Sequence, residues 1–382
     1  MTEWREFKIK DIADVVGGGT PSTAINEYWN GDIPWLTPKD LTGYIRNFIS
    51  HGERFITKKG LENSSARLLP KGTVLLTSRA PIGYVAIAEN EICTNQGFKS
   101  LVPNPDKAHN LFLLYWIKSN VEYLQSIGTG TTFQEISGSV LKDVDIILPP
   151  LPEQKAIAEV LSSLDDKIDL LTRQNKTLED LAQAYFRKWF IEDASDEWEV
   201  GKLGDEFNIT MGQSPKGETY NDLKIGLPFF QGKAEFGFRF PLEKQYCSEP
   251  IKIADKFDTL LSVRAPVGAL NMALYKCCIG RGLAIPIHKK GYKHYTFYKM
   301  KSLQELFNTF DDDGTVFGSI SREKFLSIDN VIPPEKLVCY FDNFAKYFDL
   351  KIYENTVQIR TLSKLRDTLL PKLISGEVRV NI

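Results

Sequence analysis

Two kinds of hydrophobic pattern alternate along the chain. In residues 1–150 the apolar runs are short and stop at Gly, Pro, Asn or Asp, as in TVLLTS, GYVAIAE, KSLVP and VDIILPP. Such punctuation predicts strands joined by large loops in a mixed α/β domain with a twisted sheet. HNLFLLYWIKSNVEYLQSI, from His109 to Ile127, predicts a packed helix, and YKHYTFYKMKSLQELFNTF, from Tyr292 to Phe310, reads as its counterpart. After Pro149 and Pro150 the period changes. The apolar positions Ile157, Leu161, Leu164, Ile168 and Leu171 step alternately by four and three, and the stepping continues through Asn175, Leu178, Ala182, Tyr185 and Trp189. That is the heptad seam of a long helix. It returns at Phe341, Ala345, Phe348, Ile352, Asn355, Ile359, Leu362, Arg366, Leu369 and Leu373. Asn175, Asn355 and Arg366 interrupt it. Such residues either fix register and pairing at some cost in stability or mark where the helices splay, and the sequence leaves both open. Pro371 and then Gly376 read as stop signals.

The pentapeptide RAPIG at Arg79–Gly83 recurs as RAPVG at Arg264–Gly268, each time just after an apolar run. This is one part of a repeat that covers the chain. EWREFKIKDIADVVGGGTP from Glu3 lies over EWEVGKLGDEFNITMGQSP from Glu197. Trp4 then meets Trp198, Asp11 meets Asp205, Gly18 meets Gly212 and Pro21 meets Pro215, all at one spacing. The same spacing lays IPWLTPK (Ile33–Lys39) on LPFFQGK (Leu227–Lys233). Shorter spacings, differing by one residue, lay NQGF (Asn95–Phe98) on GRGL (Gly280–Leu283), and GTTFQEI (Gly130–Ile136) on GTVFGSI (Gly314–Ile320). The spacing changes between residues 40 and 77, where the copies have gained or lost surface loop.

The order is therefore domain, helix, domain, helix: residues 1–150, 151–192, 193–334 and 335–382. The fold class is α/β (α+β), with two similar globular domains separated by two long antiparallel coiled-coil helices about a pseudo-two-fold axis. Helix one leaves the first domain for the second, and helix two returns, so the C-terminus ends near the first domain. A helix of about 35 residues spans roughly 50 Å. That is the order of separation that places two domains a turn or more apart on DNA, where half-sites repeat about every 34 Å.

Composition and charge narrow the function. The 382 residues exceed one ordinary core, and 42% hydrophobic with 25% charged content is that of a soluble globular protein. No signal peptide and no membrane-length apolar stretch is evident, so a cytoplasmic location is expected. The five cysteines (Cys93, Cys247, Cys277, Cys278, Cys339) form no CxxC pair and read as thiols in a reducing compartment. A net charge of -2 argues against indiscriminate nucleic-acid binding and leaves room for a local basic groove. There is no GxxxxGK[ST] loop, no adenine-methylation (N/D)PP(Y/F) motif and no HExxH spacing. GGGT at Gly17–Thr20 lacks the dinucleotide spacing, and DDDG at Asp311–Gly314 is short of a calcium loop. The chain is expected to be a non-catalytic binding and assembly protein.

RAPIG and RAPVG, IPWLTPKDL and LPFFQGKAEF, the helix opening LPPLPEQKAIAEVLSSLDDKI and the tail LRDTLLPKLISGEVRV resemble the specificity (S) subunits of type I restriction-modification systems. The resemblance runs through the whole chain, in order. It implies that each globular domain is a target recognition domain, and that the helices set the spacing and dock partners. It also implies recognition of a bipartite, asymmetric sequence in double-stranded DNA, presented to adenine methyltransferase subunits and to a translocase-nuclease subunit. Cofactors would belong to those partners: S-adenosylmethionine, ATP and Mg, with none in this chain.

If the two domains read different half-sites, residues shared by both copies do not encode the difference. Arg79 and Arg264 are then phosphate-positioning or fold-forming, and Thr131 and Thr315 suit either a phosphate or a plain turn. Differing residues in matching loops are the candidate base readers. Thr37, Lys39 and Asp40 answer to Gln231, Lys233 and Ala234; Asn95 and Gln96 to Gly280 and Arg281; Gln134 and Glu135 to Gly318 and Ser319. Asn and Gln suit adenine, Arg and Lys suit guanine. Arg46, Arg54, Lys216, Arg239 and Lys244 are further basic loop residues, and Trp35, Phe229 and Phe230 read as core. A two-domain coiled-coil scaffold that binds proteins and not DNA is the competing reading.

Overall fold

The computed structural model describes residues 3–130, 134–311 and 318–380. They form two compact units, one running through Leu171 and resuming at Gln358, the other Thr172–Val357. Each unit thus takes a stretch of both long helices along with its sheets.

In the first unit a sheet runs in the order Ala13–Gly17, Lys99–Pro103, Val74–Ser78, Ile82–Ala88 and Phe48–Ile49. All neighbours are antiparallel except the last pair. Three of the apolar runs read from sequence are strands of this sheet. A smaller sheet joins Arg54–Ile56, Trp29–Leu36 and Cys93–Thr94. A ladder of Arg5–Lys8 with Asp145–Leu148 closes the unit's globular part. The second unit repeats the design. Phe207–Met211, Leu283–His288, Thr259–Ser262 and Leu270–Met272 make one sheet, and Glu199–Lys202 with Asp329–Ile332 make the closing ladder. The copies agree down to single bonds. Lys8 N–H donates to Asp11 at 2.9 Å and its ammonium meets Asp145 at 2.8 Å. Lys202 N–H donates to Asp205 at 2.6 Å and its ammonium meets Asp329 at 2.5 Å.

Four helices organise the packing: α1 (Asn110–Ser119), α2 (Leu151–Arg187), α3 (Lys293–Ser302) and α4 (Glu335–Ser375). The helix expected over 109–127 breaks at Asn120, whose side-chain amide donates to Trp116 O at 2.8 Å. Asn competes with the backbone in this way. A short helix, Val121–Ser126, follows. The counterpart breaks at Leu303, before Gln304–Asn308. Pro371 does not end α4, which continues to Ser375. Pro371 is exposed in the last turns, where the bond its missing N–H forfeits matters least.

The seam departs from strict heptads at several positions. Asp165 is buried and Leu164 only partly so, and Phe186 and Phe190 are buried where Tyr185 was expected, Tyr185 being 42% exposed. An α-helix drifts relative to a strict heptad, and each helix also packs on its own globular part. Phe186 contacts both Tyr295 of α3 and Phe341 of α4. Within the second unit Asn175 meets Asn355 and Phe186 meets Phe341; within the first, Asp165 meets Arg366. In the second unit rising numbers on α2 meet falling numbers on α4, so its two segments are antiparallel. The polar seam residues are paired and do not mark a splay. Each unit has its own apolar core, around Phe112, Tyr115 and Ile157 in the first and Phe207, Tyr295 and Phe341 in the second.

Candidate nucleic-acid interface

In the first unit five loop segments meet at the ends of the central strands. Gly19 N–H donates to Thr94 O at 2.9 Å, and Asn95 N–H to Leu36 O at 2.8 Å. Ser78 N–H donates to Gly97 O at 2.8 Å, and Ile136 N–H to Ser78 O at 3.0 Å. These bonds bind the GGGT turn, the segment after Leu36, the NQG turn, the RAPIG loop and the segment around Gln134 into one frame. A side chain at Gly18 would place its Cβ 2.0 Å from Asn95 O, so the crossing requires glycine. Trp35 is held beneath it, its indole N–H donating to Gly19 O at 2.9 Å while its ring meets Trp29 edge-on.

The second unit builds the same frame. Gly212 N–H donates to Leu283 O and Gly280 N–H to Phe230 O, both at 2.8 Å. Val263 N–H donates to Gly282 O at 2.9 Å, and Ile320 N–H to Val263 O at 3.1 Å. Arg281 N–H reaches Ser214 Oγ at 3.3 Å. A Cβ on Gly212 would lie 2.2 Å from Gly280 O, the same close crossing. In both pentapeptides the residue before proline has a cis bond to it, Ala80–Pro81 and Ala265–Pro266. A hydroxyl on the preceding strand donates to each proline carbonyl, Thr77 Oγ1 at 2.7 Å and Ser262 Oγ at 2.9 Å.

What differs is the side chains on the rim. Asn95 Oδ1 caps its own turn by accepting from Gly97 N–H at 2.9 Å, and Gln96 is exposed with its amide oxygen on the Thr20 hydroxyl. The matching turn in the second unit presents exposed Arg281. Thr37 bonds Asp40 through both its N–H and its hydroxyl at 2.7 Å, which fixes the turn carrying exposed Lys39, itself 3.1 Å from Glu53. Gln231 and Lys233 are exposed, and the Gln231 carbonyl accepts from Gly282 N–H at 3.1 Å. Arg79 is half-exposed, 3.7 Å from Glu135, and Lys99 reaches the same carboxylate at 3.1 Å. Arg264 is exposed opposite Ser319 and has no ion pair among the described residues. So the frame brings together Thr37, Lys39, Arg79, Asn95, Gln96 and Gln134 in one unit, and Gln231, Lys233, Arg264 and Arg281 in the other. Thr131 and Thr315 lie outside the described residues.

Three other basic residues read as loop cations have structural partners. Arg239 is 1% exposed and ion-paired inside the second unit. Arg46 pairs with Asp169 of α2 at 3.0 Å. Arg54 lies over the Trp29 ring at 3.6 Å. Sequence reading missed Thr20, Lys99 and Ser214, which support the rim. Lys99 directly follows the NQGF motif and was the most findable of them. Among the described residues no group of three or more His, Cys, Asp or Glu is placed to hold a metal ion. No helix among them is long and apolar enough to cross a membrane.

Residues 1–180, which hold the first sheet-and-loop module and most of α2, match the type I restriction modification DNA specificity domain. The type I restriction enzyme MjaIX specificity subunit of Methanocaldococcus jannaschii is 38% identical over 417 residues, covering 99% of this chain and 94% of that one. The putative MjaX specificity subunit of the same organism is 31% identical over 416 residues, with the same coverage of 99% and 94%. In fold, the crystal structure of the S subunit of a type I restriction-modification system from M. genitalium superposes with a TM-score of 0.67 at 20% identity, over 100% of this chain and 97% of that one. The chain belongs to the family of type I restriction-modification specificity subunits.

Proposed function

We propose that residues 1–150 and 193–334 are two target recognition domains that read the two different halves of a split DNA sequence. The helical segments 151–192 and 335–382 then set the unspecified gap and dock the adenine methyltransferase subunits. Methylation and ATP-driven translocation and cleavage belong to partner subunits, which supply S-adenosylmethionine, ATP and Mg. The carrying observation is the loop frame built twice with the same backbone bonds and different rim side chains, Gln96 and Gln134 in one copy, Arg281 and Gln231 in the other. A shared frame suits phosphate positioning, and a varied rim suits base readout.

The test is single-molecule modification mapping of DNA from cells expressing this chain with its adjacent methyltransferase. The expected result is one new two-part motif with a fixed gap, methylated on both strands. A soluble complex that adds no motif would overturn the reading in favour of a protein-binding scaffold.

A further inference from the structure

Asp165 of α2 and Asp349 of α4 stand at matching places in the two copies and are both buried. Each accepts a phenol from the helix of its own globular part: Tyr115 OH reaches Asp165 at 2.8 Å and Tyr298 OH reaches Asp349 at 3.1 Å. Each also faces a residue from the loop between the sheets. Asn47 Nδ2 donates to Asp165 at 3.1 Å, and Arg239 Nη1 donates to Asp349 at 2.5 Å. Asn47 and Arg239 are true counterparts despite the length difference around them. The Asn47 carbonyl accepts from Ile87 N–H at 2.7 Å, the Arg239 carbonyl accepts from Met272 N–H at 2.8 Å, and Ile87 and Met272 are the same position of the duplicated strand.

The charges around the two aspartates are distributed differently. In the first unit the long helix supplies the guanidinium: Arg366 Nη1 donates to Asp165 at 2.8 Å, and the globular part offers the neutral Asn47 with Lys118. The position of α2 matching Arg366 is Ala182. In the second unit the globular part supplies the guanidinium and also His294, whose Nδ1 lies 2.7 Å from Asp349 Oδ2, and the long helix adds a second carboxylate. Arg239 Nη2 donates to Glu179 at 3.1 Å, and Lys301 pairs with the same residue. The position of α4 matching Glu179 is Ser363.

We infer that each globular domain is keyed to its own stretch of the helix pair by a different buried charge set, so the two domains are not interchangeable in position, and that Arg239 is the positioning residue of the second. The second domain seated on the first helix stretch would set Arg239 and Arg366 around a single buried carboxylate, Asp165, since the other partner of Arg366, Asp367, is exposed. The first domain seated on the second stretch would leave Asp349 and Glu179 facing Asn47 and Lys118. Buried charge without its partner is strongly destabilising. The inference concerns how the domains are held and stands whatever they read, so its test uses stability alone.

The experiment is thermal unfolding of the full chain at neutral pH. R239N should lower the melting temperature of the second unit by roughly 10 °C. R239N/E179S/A182R, which gives that unit the guanidinium and carboxylate placement of the first while leaving His294 on Asp349, should recover most of the loss. The reciprocal pair, N47R and N47R/S363E/R366A, should behave in the same way in the first unit. If R239N does not fold, a folded R239N/E179S/A182R supports the key and an unfolded one overturns it. It is also overturned if R239N melts with the wild type, or if the triple variants are no more stable than the single ones.

Discussion

Asn355 donates its side-chain amide to Asn175 Oδ1 at 2.9 Å across the antiparallel helices, in a seam otherwise made largely of Ile, Phe and Ala. Asn175 in turn donates to Thr356 Oγ1 at 3.4 Å. The pair is buried, so the Asn175 oxygen and the Asn355 amide N–H depend on each other for this bond.

Replacing one member is therefore worse than replacing both. Asn355→Leu leaves the Asn175 oxygen against hydrocarbon and should cost about 1–3 kcal/mol. Asn175→Leu with Asn355→Leu should match or exceed wild-type stability, because two apolar groups of similar size replace a matched polar pair. Denaturant unfolding of the three full-length proteins checks the order.

The pentapeptide glycines are a second point of sensitivity. Gly83 has φ 110 and Gly268 has φ 87, and an added Cβ would lie 2.6 Å from Val121 Cγ1 and 2.6 Å from Phe307 Cβ. Gly83→Ala and Gly268→Ala should each cost about 1–3 kcal/mol through backbone strain, plus the displacement of that neighbour. Melting curves of the single variants should show both losses, with the two adding in the double variant because the sites lie in separate units.

Asp165 sets an acid limit on the first unit. Burial pushes its carboxyl up, but Lys118, Arg366 and Tyr115 outweigh that and hold it below the usual carboxylate range. A depressed carboxyl contributes its stability above the unfolded-state pKa and loses it as pH falls towards the folded one. Stability should drop below about pH 4. Asp165→Asn should remove that part of the acid dependence and lower stability at pH 7. Urea midpoints measured across pH 3–7 for the two proteins test the sign.

Rim substitutions should act on one half-site each. Arg281→Ala should weaken discrimination in the second half of the target by about 1–3 kcal/mol and leave the first half unchanged. Gln96→Ala should do the reverse. Competition binding of the methyltransferase complex to targets altered in one half at a time separates the two. Equal losses in both halves would contradict the assignment of one domain to each half.

The repeat, the strands and the long helices were legible because they are written in periodicity and in Gly and Pro, which act locally. The Arg79 and Arg264 loops were found because duplication marks them twice. Arg239 was misread because its partners Glu179, Tyr298 and Asp349 are remote in sequence, and an arginine in a loop of changed length reads as solvated. A signal was present all the same: Asp165 and Asp349 recur at one position beside the seam, and a carboxylate repeated against an apolar stripe needs a partner. Phe186 displaced Tyr185 from the interior because the helix has two neighbours to satisfy, and a seam read as a single stripe counts only one of them.

The ladders of Arg5–Lys8 with Asp145–Leu148 and of Glu199–Lys202 with Asp329–Ile332 bring the two ends of each globular part side by side. Each is a clasp through which the chain leaves and returns at the same place. Everything threaded between its strands can lengthen, shorten or be exchanged without changing where the next helix begins. A genetic crossover falling within those strands would therefore deliver a whole new reading head on an unaltered mount, and the surviving recombinants would be those whose loop residue at the position of Asn47 or Arg239 suits the helix already there.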